Sequence, residues 1–208
     1  MKRMRGVLVG LAVVAGTVTI GGRAGAEHTG GTLADVLLAD SGRDNAAGFD
    51  RRWFDYDIVT QAVLLFPDLV AAAHDPNAEL TVFLPNDFAF RRLVFDLTGT
   101  FPRREQQVFD AVAALGVDTV KTVLTYHIVA GPPISYGAAL QSDGAQLSTL
   151  QGGTLGVQVK RFFGFPFVQL ADADPDAQDP IVVQPEVGGR LVNGYAHGIE
   201  SVLRPVDR

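Results

Sequence analysis

Apolar residues recur along this chain in two rhythms, and the rhythm changes near its middle. In the first half the spacing is helical. Ile58, Val59, Ala62, Val63 and Phe66 form one stripe, and Asp57 stands where a helix cap belongs. Pro67 has no N–H and restricts Phe66, so it breaks this run. The same proline suits the first turn of a second helix, through Leu69, Val70 and Ala73, closed by Asp75-Pro76-Asn77. Leu80 to Leu84 reads as a short buried strand stopped by Pro85. Asn86 then caps a helix carrying Phe88, Ala89, Phe90, Leu93 and Val94. Another amphipathic helix is predicted from Pro102 to Leu115, ended by Gly116. Asp118 caps a short helix through Leu124, after which Tyr126-His127-Ile128-Val129 reads as extended.

Beyond Gly131-Pro132-Pro133 the period becomes two. Leu147 to Gln151, the turn Gly152-Gly153 and Thr154 to Val159 predict a hairpin. Phe162 to Leu170 reads as one aromatic strand, Asp172 to Pro180 as a solvated acidic loop, and Ile181 to Val183 as a short strand. Asn193-Gly194 predicts a turn into a last strand, Tyr195 to Leu203. Helices first and strands afterwards argue for an α+β fold rather than βαβ units.

The N-terminus has a different character. Lys2, Arg3 and Arg5 precede an uncharged run from Gly6 to Gly22, and Ala24-Gly25-Ala26 gives the small-x-small pattern of a cleavage site. Residues 1–26 therefore read as a signal peptide, with Glu27 opening the mature chain. A retained anchor is the alternative, but the run falls short of the ~20 apolar residues that a span needs. Residues 27–48 read as an extension with one short helix, Thr32 to Leu38, and residues 49–208 as the domain. No transmembrane segment is expected after cleavage. Cleavage removes four of the 17 cations (Lys2, Arg3, Arg5, Arg23) and leaves 13 against 23 acidic residues, a balance of −10. That charge excludes nucleic acid as a partner, because phosphate binding rests on Lys and Arg. With no cysteine, apolar packing must hold an exported fold without disulfides. Cations are mostly Arg, and Ala, Val and Gly abound, which points to a GC-rich bacterial genome.

Five segments, in order, resemble the fasciclin-like domain family. They are Asp55-Tyr56-Asp57-Ile58-Val59-Thr60-Gln61-Ala62-Val63, then Thr81-Val82-Phe83-Leu84-Pro85-Asn86-Asp87-Phe88-Ala89-Phe90, then Leu124-Thr125-Tyr126-His127-Ile128-Val129-Ala130-Gly131. Leu147-Ser148-Thr149-Leu150-Gln151-Gly152 follows, and Asn193-Gly194-Tyr195-Ala196-His197-Gly198-Ile199-Glu200-Ser201-Val202-Leu203-Arg204-Pro205 closes the set. The resemblance implies a β-sandwich wedge with helices packed around it. Thr81, Phe83, Pro85, Asn86, Phe90, Asn193, Gly194 and His197 are its structural positions. It implies a secreted or surface-attached adhesion module without enzymatic activity or cofactor, and in some members carriage of a carotenoid. In some animal members the pair matching Tyr126-His127 is tied to adhesion. Ala196 departs from the branched residue usual there, and Thr98 to Gly116 is a longer insert than many members carry.

Candidate chemistry is sparse. His127 and His197 could serve a metal, but a site wants three or four ligands, so both read as hydrogen-bonded structural residues. Tyr126 and His127 are candidate partner contacts. Asp172-Ala173-Asp174-Pro175-Asp176 starts like a calcium loop, yet Ala177 replaces the turn glycine and Val183 the bidentate glutamate. No Gly-x-Ser-x-Gly elbow or phosphate loop occurs. Phe162, Phe163, Phe165 and Phe167 either fill the core or form a contact for a partner or apolar ligand, with Phe163, Phe165 and Phe167 on one face and Phe162 opposite. The expected function is extracellular binding or adhesion toward a protein or glycan surface. The alternative is a carrier of an apolar small molecule, and an enzyme ranks last.

Overall fold

A computed structural model describes residues 30–41 and 48–206. The expected signal peptide lies outside the described residues, as does part of the extension. The element order is α1 (Leu33–Ser41), α2 (Asp57–Leu64), α3 (Pro67–His74), β1 (Leu80–Pro85), α4 (Asp87–Thr98), α5 (Glu105–Ala113), α6 (Val117–Tyr126), β2 (Ile128–Ala130), α7 (Tyr136–Ala139), β3 (Gln146–Ser148), β4 (Thr154–Phe162), β5 (Phe165–Ala171), β6 (Val182–Gln184) and β7 (Gly194–Ile199).

Two sheets form the wedge: β2-β1-β7-β6, in which β1 and β7 run parallel, and the antiparallel β3-β4-β5. Single bridges, Val129 to Thr149 and Gln169 to Ile181, tie the sheets together along both sides. Helices cover the outer face of the larger sheet. β1 is therefore buried on both faces, which is why its sequence is apolar without alternation. Val82 and Leu84 face the helical core with Ile58, Ala62 and Val108, while Phe83 faces the inter-sheet core with Leu155, Val168 and Ile199.

Local chemistry sets the boundaries. Thr32 and Asp35 exchange bonds around the start of α1, a capping box. Pro67 occupies the first turn of α3 as its missing donor predicts. Asn86 Oδ1 accepts from Ala89 N at 2.9 Å and caps α4. Asn193 joins three elements. Its Oδ1 accepts from Leu33 N, its Nδ2 donates to Ala73 O, and its main-chain oxygen accepts from Leu80 N. Next to it, Gly194 has φ 143°, and a Cβ there would lie 1.8 Å from Leu80 O. That approach lets β7 enter beside β1.

Five expectations are corrected. Asp57 does not cap α2 but is its first residue; the orphan N–H of Ile58 is met by Asp87 Oδ1 at 2.9 Å. The helix predicted from Pro102 begins at Glu105, and Gly116, with φ 94°, opens α6 in place of Asp118. Tyr126 ends α6 and His127 is its helical C-cap, so the extended run starts only at Ile128. The aromatic strand is broken, because Phe163-Gly164 is the turn of a β4–β5 hairpin.

Candidate functional site

The residue types singled out in the sequence divide by burial. Tyr126 is fully buried and donates through its hydroxyl to Thr154 O at 2.8 Å. His127 is 3% exposed, and its Nδ1 lies 2.7 Å from Val123 O. Its Nε2 accepts from Leu203 N at 3.0 Å, which fixes the neutral Nδ1–H tautomer. Burial pushes its pKa down to about 4. His127 thus pins the chain beyond β7 to the end of α6. His197 carries the opposite tautomer, with Nε2 toward Ile134 O at 2.9 Å and Nδ1 accepting from Glu186 N at 3.3 Å, and burial lowers its pKa too. Both imidazoles spend both nitrogens on the main chain. Tyr126 and His127 hold the fold from inside and present no contact surface.

The remaining block residues also work inside. Thr81 Oγ1 accepts from Ile134 N, Phe83 fills the inter-sheet core, and Phe90 fills the helical core. Pro85 ends β1, and Asn86 N then donates to Ile199 O at 3.1 Å. The acidic loop is not simply solvated. Asp174 is buried, accepts from Asp176 N and Ala177 N, and pairs with Arg204 at 3.2 Å. Asp172 holds the Arg204 main chain.

The aromatic cluster is outside. Phe162, Phe163 and Phe165 are 67%, 88% and 76% exposed. Phe162 pairs with Phe165 and Lys160 with Phe167 across the hairpin, so all four share its outward face. Phe162 therefore lies with Phe165 and Phe167, not opposite them. The inward positions belong to Val157, Val168 and Leu170, and the core reading of this cluster gives way. Phe163 has φ 48° and Gly164 φ 86°. A turn with both central residues at positive φ ordinarily takes Asn-Gly. Phe162 and Phe163 pack edge to face at 4.5 Å.

One cluster was not foreseen in the sequence. Asp57, Asp87 and Glu105, the first residues of α2, α4 and α5, are 1%, 0% and 2% exposed, and their carboxylate oxygens lie within 4.8 Å of one another. Asp50 and Asp55 adjoin through Asp57. Burial, reinforced by mutual repulsion, raises Asp57 to about 7 and shifts Asp55 and Asp87 upward. Acids in a helix first turn look ordinary in a sequence. Only the packing of three helix ends reveals their convergence.

An apolar cavity between α1, α2, α3 and the large sheet measures about 40 Å³ and is lined by Leu33, Val59, Leu69 and Val82. That is room for roughly one or two waters. A groove of about 670 Å³ beside Phe101, Arg103 and Arg104 is open to solvent.

The family model described as "Fasciclin domain" matches residues 57–205. Among solved structures, the FAS1 domain pair from the insect cell adhesion molecule fasciclin I superposes with a TM-score of 0.52 at 17% identity, over 70% of this chain and 46% of that one. The chain thus spans about half of that pair, and the likeness shows the fold. No curated protein matches.

Proposed function

The chain belongs to the fasciclin domain family, and from that premise we propose that it is an exported adhesion module, catalysing nothing, that grips its partner through the tip of the β4–β5 hairpin. The family is of cell-adhesion type. The observation that carries it is the trio Phe162, Phe163 and Phe165, held at 67–88% exposure on a two-residue turn. Beyond the Phe162–Phe163 edge-to-face pair, the fold leaves these rings to solvent. Phe163 stands in the left-handed region, which costs a bulky residue about 1–2 kcal/mol. Burying each ring against a partner would stabilise a complex by about 1.5–3 kcal/mol. Exposed Lys160 and Arg161 flank the rings, so the fitting partner is an apolar surface bordered by anionic groups.

Carriage of an apolar small molecule is the second reading, favoured by the same rings. The apolar cavity between the helices and the large sheet is too small for a polyene, and the open groove beside Phe101 is edged by Arg103, Arg104 and Gln107, so such a ligand would lie on the hairpin. Adsorption of purified protein to envelopes of its native source tests the first reading. The triple variant Phe162→Ser, Phe163→Asn, Phe165→Ser should lose at least about tenfold in retention at an unchanged melting midpoint. Equal retention would overturn the proposal. Saturable polyene uptake by the parent, abolished in the variant, would move the function to carriage.

A further inference from the structure

We propose that Asp57, Asp87 and Glu105 form a buried site for a divalent cation of the calcium class. Each carboxylate is held by one main-chain donor and has one oxygen left over. Ile58 N donates to Asp87 Oδ1 at 2.9 Å, Arg51 N to Glu105 Oε2 at 2.8 Å, and Asp50 N bonds Asp57. Asp57 Oδ1, Asp87 Oδ2 and Glu105 Oε1 have no partner. All three side chains are at least 98% buried. A buried, unpartnered carboxylate oxygen carries a heavy desolvation penalty. The three helix ends favour negative charge but leave these oxygens unmatched. The charged groups acting on Asp55, Asp57 and Asp87 are other carboxylates. The nearby Arg52 is paired with Asp50 at 3.5 Å.

The spacing fits an ion. Ligands on a cation at 2.3–2.6 Å lie at most about 5 Å apart, and one carboxylate oxygen from each of the three residues lies within 4.8 Å of the others. The donors are all oxygen, which selects hard cations over zinc or copper. Carboxylates on three separate helix ends suit the flexible coordination of calcium better than the near-ideal octahedron of magnesium. Asp55, whose buried Oδ1 is also unpartnered, groups with Asp50 and Asp57 beside this site. Because α5 lies within the long insert, the ion would clamp that insert to α2 and α4.

The test uses the full chain stripped with EDTA. Calcium should raise the melting midpoint saturably by several degrees, and magnesium by less. Trp53, the single tryptophan, stands two residues before Asp55 and should sensitise terbium emission that calcium displaces. Glu105→Gln should lose both responses, yet melt without metal no lower than the stripped parent, since one buried charge is gone. Terbium emission from the parent reports the site even if that variant fails to fold. Absence of both responses in the parent, with the carboxyls sharing protons instead, would overturn the site. So would a calcium shift equal in parent and variant.

Discussion

Tyr126-His127 and the Phe162–Phe167 hairpin are both aromatic, both adjoin the inter-sheet core, and both read as contact sites in the sequence, yet one is inside the protein and the other outside. The difference lies in where the neighbouring strands end. Tyr126 and His127 sit at the α6–β2 junction, beneath β4 and the chain beyond β7, so main-chain groups reach every polar atom they carry. The hairpin outruns its support. β3 pairs with β4 only as far as Gly156, and Phe162 is six residues further on, about 20 Å of strand. Burial here follows from strand length rather than residue type.

The comparison breaks if Tyr126 behaves as a surface residue. Tyr126→Ala should destabilise by about 3–5 kcal/mol, because a fully buried ring is removed and Thr154 O loses its donor. A denaturant midpoint like the parent's would contradict its inside role. The next effect is one of pH. His127 titrates at 6.5 when unfolded and about 4 when folded. Between those values the unfolded chain holds the proton and the folded chain does not. Its contribution is therefore complete above pH 6.5 and lost as pH falls toward 4, on the order of 3 kcal/mol. The stability gap between parent and His127→Gln should close by that amount on acidification, other titrations cancelling in the difference. A constant gap would place the imidazole in solvent. The smallest effect sharpens the outside role. Phe163→Asn suits the positive-φ turn and should raise stability by about 1 kcal/mol or less while envelope retention falls. A fall in thermal midpoint would mean that the packing of the ring on Phe162 outweighs the relieved turn strain.

Much of this was legible locally. Pro67, Asn86 and Asn193-Gly194 act through their own backbone chemistry, so their roles appear in the sequence and again in the structure. Partners brought by the fold were not legible. Asp57 looked like a cap because its type suits one, but the oxygen that meets Ile58 N comes from Asp87, 29 residues away. The Phe163-Gly164 turn was hidden because a phenylalanine occupies a position usually given to Asn. The partners of His127 lie on α6 and beyond β7, so the sequence could suggest a structural histidine but not which bonds it makes. The carboxylate cluster needed three helix ends in one place, and no periodicity encodes that.

The pairing of β1 with β7 bears on how the chain is made. The central strand waits for a neighbour that starts at Gly194, and Asn193 caps a helix start 160 residues earlier in sequence. At roughly 5–20 residues per second, the ribosome delivers β7 on the order of ten seconds after β1. Until then neither core can close, and such non-local contacts slow folding further. Both cores therefore close only when nearly the whole chain has been made, which places the decisive folding step after synthesis rather than during it.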